Sequence, residues 1–241
     1  MDARAYHDMV YRQDEHWWFK ARREILSEEI KDLNLRGDIK ILEIGCGAGG
    51  NISMLQKFGE VYAVELDEYS REYAKMKMQV EVQPGSLPDN IPFSDNTFDL
   101  VCLFDVLEHV KQDDKALIAI QKILVPGGKL LITIPAHQWL FSTHDKILHH
   151  HRRYSWKGIV KILNYCNYSI LRMSYYNTVL FPVVVIVRLM DLFIHTDKST
   201  GSSIPSPWLN SILFSLFRFE KYILRHITLP YGASMIIVLE N

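Results

Sequence analysis

The stretch HDKILHHHRRYS, His144 to Ser155, gathers four histidines, one aspartate and two arginines. Histidine and aspartate can move protons near neutral pH or ligate a metal, and arginine pairs bidentately with carboxylate or phosphate. No metal site is expected here. His149, His150 and His151 are consecutive, so they point in different directions in a helix or a strand and cannot converge on one ion. In a helical register His150 reaches Asp145 only loosely. What remains is a solvated basic patch, or a pocket wall in which Arg152 and Arg153 face an anionic acceptor.

A second cluster, Asp105, Glu108 and His109 in FDVLEHV, combines carboxylates and an imidazole at what reads as a strand end opening a helix. His109 is a candidate acid-base group; an acidic residue at a helix start also complements the helix dipole. The third stretch, IKILEIGCGAGGNISML from Ile39 to Leu55, passes from an apolar run through Gly45, Gly47, Gly49 and Gly50 into a helical pattern. Glycines are needed where a backbone turns sharply and approaches a ligand, and the following helix aims free N–H groups at it. Alone this signal is weak, because dinucleotide-binding folds use a similar turn; the spacing here is G-x-G-x-G rather than G-x-G-x-x-G.

These residues need a scaffold. With 241 residues, 48% of them apolar, the chain can bury one full core with an appended cap. A net charge of −1 from 27 basic and 28 acidic residues gives no field for a polyanion, so nucleic acid is not an expected partner. Cys46, Cys102 and Cys166 are scattered in apolar settings, as reduced thiols in a cytoplasmic protein would be. The opening MDARAYHDMVYRQDEH lacks the apolar region of a signal peptide. The longest apolar run, Thr178 to Ile194, is broken by Pro182, Arg188 and Asp191, short of the roughly 20 residues that span a bilayer.

Strands are expected at Ile39–Ile44, Val61–Glu65, Val80–Gln83, Phe98–Phe104, Lys129–Ile134, Ser169–Tyr175 and Ser234–Leu239, with helices between them. The fourth helix is expected to carry Leu107, Val110, Leu117, Ile120, Ile123 and Leu124 and to stop at Pro126-Gly127-Gly128. Such alternation describes a doubly wound α/β sheet, mostly parallel. Residues 1–36 read as a helical cap, 37–136 as a ligand-binding half and 137–241 as an acceptor-side half. Within the last, 177–230 form a helical insertion whose second helix carries one apolar stripe; SSIPSP, Ser202 to Pro207, is linker-like.

Glu43 before Gly45, Gly47 and Gly49 makes a run that resembles motif I of the class I S-adenosylmethionine-dependent methyltransferases. Four further stretches match in order: VYAVELD ending its strand at Glu65, PGSLPDNIPFSDNTFDLVCLFDVLEHV, LVPGGKLLITIPAH, and a last strand where the family places its reversed seventh. The resemblance implies a seven-stranded Rossmann-like sheet of order 3-2-1-4-5-7-6. It implies S-adenosyl-L-methionine as cofactor and S-adenosyl-L-homocysteine as product. Glu43, Gly45, Cys46, Gly47 and Gly49 would border its methionine part, Glu65 and Leu66 the ribose, Ser86 and Leu87 the adenine, and Phe104 and Asp105 the sulfonium. Ser86 departs from the aspartate common at that position, which weakens the contact to the adenine amino group.

The block EHWWFKARREIL resembles one that precedes motif I in a group of these enzymes. Trp18 would shield the reactive sulfur, and Arg22 or Arg23 would pair with the cofactor carboxylate; an amphipathic helix with solvated arginines is the competing reading. A related Asp-x(4)-His-x-Arg-Arg-Tyr block aligns Asp145, His150, Arg152, Arg153 and Tyr154. His150 would act as base or acceptor ligand, or simply bond Asp145, while Arg152, Arg153, Tyr154 and Trp139 would line the acceptor. Methyl transfer to O or N of a small-molecule or glycan- or lipid-linked acceptor is the expected function. A non-catalytic cofactor-binding module and an NAD-dependent oxidoreductase are its rivals. The apolar insertion suggests peripheral membrane contact or a homodimer.

Overall fold

The computed structural model describes residues 10, 12–35, 37–193 and 204–241. Seven strands, β1 (Lys40–Ile44), β2 (Glu60–Glu65), β3 (Val82–Pro84), β4 (Phe98–Phe104), β5 (Leu124–Pro135), β6 (Ser169–Tyr176) and β7 (Ser234–Glu240), form one sheet in the order 3-2-1-4-5-7-6. The first five are parallel to one another, and β7 runs antiparallel between β5 and β6. Leu42, Leu100, Val101, Leu130 and Ile132 are fully buried, as expected of strands covered on both faces.

The α-helices with described bounds follow in chain order: α1 (Trp17–Asp32), α2 (Ile52–Leu55), α3 (Glu68–Met78), α4 (Asp113–Ile123), α5 (Thr143–Ile147), α6 (Trp156–Tyr165), α7 (Phe181–Phe193) and α8 (Pro207–Leu224). Helix α1 packs into the core as well as reaching the strand ends. Its Ala21, Ile25, Leu26 and Ile30 lie in the main core at helical spacing, while Arg22 reaches Asp105 after β4 and Ile30 borders Ile39 before β1. Helix α8 packs against it: Trp17 meets Phe217 at 5.9 Å, and Lys221 pairs with Glu24 at 2.6 Å.

Three local expectations are corrected. The stretch after β4 is not the start of α4 but a separate 3-10 turn, Leu107–His109, ended by extended Val110. Strand β5 begins at Leu124, so Pro126-Gly127-Gly128 lies within the strand span, past the helix end at Ile123. The single stripe on α8 splits: Phe217 and Leu224 face inward with buried Glu220, whereas Ile212 and Leu216 are exposed. Glu220 accepts from the N–H groups of Thr178 and Val179 at 2.7 and 2.8 Å, which ties α8 to the start of the insertion. Ile194, and Ser202 and Ser203 of the linker-like stretch, lie outside the described residues. No helix among the described residues is long and apolar enough to cross a membrane.

Candidate active site

The glycine loop leaves β1 with Gly45, Gly47 and Gly49 at φ of 73°, 55° and 79°, a region that side-chain-bearing residues avoid. A Cβ on Gly45 would fall 2.7 Å from a methyl of Val106, so glycine is required both by the turn and by the closeness of the segment after β4. Glu65, at the end of β2, accepts from the N–H of Gly47 at 2.7 Å and of Asp67 at 2.9 Å. Its oxygens are therefore already bonded to backbone, and each keeps a second lone pair for a ligand hydroxyl. Burial raises the Glu65 carboxyl above its ordinary range.

Glu43 lies under the loop, 1% exposed, with Oε1 held by Asn51 at 2.7 Å and Oε2 unpartnered. Burial pushes it up to about 7. Cys46 is a buried thiol whose value burial raises further. Leu66 is exposed beyond β2, and Leu87 packs partly on the core beside Ser86, whose backbone bonds Asn90 in both directions. These residues line the same strand-end edge as Phe104 and Asp105.

Asp105 sits in the left-handed region at φ 58°, and its carboxylate pairs with Arg22. The Arg22 guanidinium lies 4.5 Å over the Trp18 ring. Arg23 instead donates to the Gln13 carbonyl at 2.7 Å, and Gln13 in turn donates to the carbonyl of Ala48 in the glycine loop at 3.2 Å. The segment before α1 is thus tethered to the loop. Of the two arginines, Arg22 is the one brought to the strand ends.

The opening stretch of histidines folds back on the turn after β4. Helix α5 ends at Ile147, His149 takes φ 58°, and the chain reverses so that the His150 N–H bonds the Asp145 carbonyl. As a result His150 Nδ1 and Asp145 Oδ1 lie 2.9 Å apart, closer than the helical register allowed. His150 Nε2 then faces Glu108 Oε1 at 3.9 Å, and the His150 ring meets His109 edge-on with centroids 4.6 Å apart. Burial, then His150, lowers His109 to about 3, while its bond to the His149 carbonyl acts the other way. Glu108 is fully buried, neither of its oxygens has a hydrogen-bond partner, and burial followed by Asp105 raises it well above its usual range.

Asp145 is held the opposite way. Burial alone would raise it, but the His150 and Arg153 hydrogen bonds outweigh that and keep it ionised. Arg153 is a buried clamp on Asp145 at 2.9 Å rather than an exposed acceptor contact. Arg152 and Tyr154 are also corrected: Arg152 pairs with Asp113 at 2.8 Å, and the buried Tyr154 hydroxyl bonds Asp113 and the Leu107 carbonyl. Both fasten this loop to the start of α4. Trp139 is 57% exposed and stands beside His137 and Phe181, while His137 stacks on Tyr175 at 5.3 Å.

Two groupings were not foreseen. Glu108, His109 and His150 each offer a ligand atom within 4.8 Å of the others; three adjacent histidines drew attention to one segment, whereas the convergence joins two. Asp113 also gathers Arg152 and Tyr154, and nothing in its local sequence marks it out.

A parallel sheet reversed at β7, with a glycine loop after β1 and an acidic residue closing β2, defines the Rossmann-like methyltransferase fold. Residues 42–132 match the family described as "Methyltransferase domain", so that part of the chain is similar to S-adenosylmethionine-dependent methyltransferases. It is 34% identical over 115 residues to the uncharacterized protein MJ0638 of Methanocaldococcus jannaschii, covering 46% of this chain and 49% of that one. It is 31% identical over 117 residues to phosphoethanolamine N-methyltransferase 3 of Arabidopsis thaliana, covering 46% and 24%. It thus spans half or less of the length of these relatives. The fold also resembles that of a SAM dependent methyltransferase from Archaeoglobus fulgidus, with TM-score 0.54, 15% identity and coverage of 91% and 94%.

Proposed function

We propose that the chain transfers the methyl group of S-adenosylmethionine to oxygen or nitrogen of a small-molecule or glycan- or lipid-linked acceptor. The observation that carries this reading is the approach of two machineries at one strand-end edge. The Gly45–Gly49 loop with Glu65 lies on one side of the turn after β4, and the Asp145–His150–His109 chain on the other. The residues present fit the cofactor: Gly45 leaves no Cβ in the cradle, Glu65 keeps free lone pairs for ribose hydroxyls, and unpartnered Glu43 Oε2 suits a cationic group. S-adenosylmethionine supplies the activated methyl group when bound.

The chain's own residues do the rest. Glu65 holds the ribose, Ser86 and Leu87 border the adenine, and Arg22, freed from Asp105, pairs with the cofactor carboxylate beneath Trp18. The His109 and His150 imidazoles bind or deprotonate the acceptor, oriented by Asp145. Positioning two reactants can supply up to roughly 7–11 kcal/mol, so a base matters only for an acceptor protonated at neutral pH. In this reading residues 37–136 are the cofactor half and 137–241 the acceptor half.

Calorimetric titration with S-adenosylmethionine tests the reading, with micromolar binding expected for the native chain and a marked loss for Glu65→Ala. Absence of binding, or a preference for NAD, overturns it. Binding without transfer to any member of an oxygen and nitrogen acceptor panel favours the non-catalytic module. One observation favours a lipid-attached acceptor: Trp208, Ile212, Leu216 and Phe219 are 67%, 47%, 42% and 56% exposed on one side of α8, a patch too apolar to be ordinary surface. Cosedimentation with anionic vesicles is expected; no cosedimentation, together with dimers on light scattering, assigns the patch to a second copy instead.

A further inference from the structure

We propose that Glu108, His109 and His150 form a site for a first-row divalent cation, zinc-like rather than magnesium-like, that holds an oxygen atom of the acceptor. This assignment of the acceptor class rests on the methyl-transfer reading; the cation site itself does not.

Three features of the cluster support the assignment. The first is convergence. One carboxylate oxygen and two imidazole nitrogens, from two separate segments, lie within 4.8 Å of one another. A tetrahedral zinc with bonds of about 2.0–2.1 Å places its ligand atoms roughly 3.4 Å apart, so loading draws the side chains together by about an ångström or slightly more. The second is an unexplained buried group. Glu108 is 0% exposed and neither of its oxygens has a hydrogen-bond partner, an arrangement that calls for a counter-charge or a ligand. Among the described residues no arginine or lysine pairs directly with it: Arg153 is engaged with Asp145 and Arg22 with Asp105, and both act on Glu108 only from a distance.

The third is the shell behind the ligands. Asp145 accepts from His150 Nδ1 at 2.9 Å, which leaves the Nε2 lone pair directed towards Glu108. The His149 carbonyl accepts from the His109 ring and fixes its tautomer likewise. A carboxylate or carbonyl behind each imidazole is the usual support of metal-bound histidine. The loop is pinned to the turn as well, since the His151 N–H donates to the Glu108 carbonyl at 2.8 Å.

Two neutral imidazoles and one carboxylate select zinc, manganese or ferrous iron over magnesium and calcium, which prefer oxygen alone. Three protein ligands leave positions open, and His109 is only partly buried, which provides access. An acceptor hydroxyl held at an open position would ionise more readily, its proton leaving to solvent as the oxygen stays on the cation. His150 then acts as a ligand rather than as a base.

The test is a cobalt(II) titration of the full, chelator-treated chain without cofactor, followed by visible absorption. One equivalent with an absorption band typical of four- or five-coordinate cobalt is expected, displaced by zinc and unaffected by millimolar magnesium. Glu108→Gln and His150→Gln are each expected to weaken binding at least tenfold, and His151→Gln to leave it unchanged. Near-ultraviolet circular dichroism and S-adenosylmethionine binding establish that each variant is folded. No band in the native chain, or an unaltered band in both ligand variants, overturns the site. Intact cofactor binding alongside that result leaves methyl transfer standing with His150 as its base, whereas loss of cofactor binding alone overturns the methyl-transfer reading and spares the cation site.

Discussion

One oxygen of Asp145 serves two partners: Oδ1 accepts from Arg153 Nε and from His150 Nδ1, each at 2.9 Å. The other, Oδ2, accepts the backbone N–H of Ser142 at 2.9 Å. A single buried carboxylate therefore ionises beside a guanidinium, closes the start of α5 and sets the tautomer of the histidine that faces Glu108.

Asp145→Asn is expected to reduce turnover by about 10–100-fold, the usual effect of removing the group that orients a functional imidazole. Cofactor affinity should not move, because Asp145 touches nothing in the glycine loop. Leaving Arg153 buried without its counter-charge should also destabilise the fold by about 3–5 kcal/mol. Steady-state kinetics, calorimetry and urea melts separate the three effects; unchanged turnover would show that the tautomer is immaterial.

Gly45→Ala combines a left-handed φ of 73° with a Cβ only 2.7 Å from a Val106 methyl. A loss of about 1–3 kcal/mol from strain alone is expected, together with weakened cofactor binding. Adding Val106→Ala should restore part of the stability and none of the strain component. A double variant no better than Gly45→Ala would show that the contact is irrelevant.

Glu65→Gln tests the ribose assignment with the side-chain shape kept. The amide retains one acceptor oxygen for two backbone donors that now hold two carboxylate oxygens, so loop order and ribose binding compete. S-adenosylmethionine affinity should fall about tenfold, in line with losing one charge-assisted bond. Equal affinity in isothermal titration would remove Glu65 from the site.

Glu43 predicts a pH signature. Its value in the folded chain, about 7, lies above that of an unfolded glutamate, near ~4.3. The neutral acid is thus favoured by folding. Its contribution to stability is complete below the unfolded value and is lost as pH rises through about 7. Glu43→Gln, which can keep the Asn51 bond, should flatten this fall between pH 5 and pH 8 in denaturant melts. An identical decline in both proteins would place the titrating group elsewhere.

Strand β4 was legible to the residue because Phe98–Phe104 is apolar at every position but Asp99, and the glycine loop because its spacing is a backbone requirement. The roles of Arg152 and Tyr154 were not legible. Both depend on Asp113, which lies 39 and 41 positions away in sequence and reaches them only once α6 docks on α4. The closeness of His150 to Asp145 was hidden for a different reason: it needs a left-handed residue, His149, that breaks the helical register assumed for the segment. Helix α1 read as an appendage because its tryptophans and arginines are conspicuous, whereas the quieter Ala21, Ile25 and Ile30 hold it in the core.

Strands β6 and β7 pair from Ser169 with Glu240 to Tyr176 with Ser234, so the segment between them leaves and returns at adjoining points of the sheet. The entropy of closing a loop grows only slowly with its length. Lineages could therefore lengthen, trim or replace that segment while the hairpin beneath it stays shut. Under the proposed function, acceptor choice would in this way drift independently of the half assigned to the methyl donor.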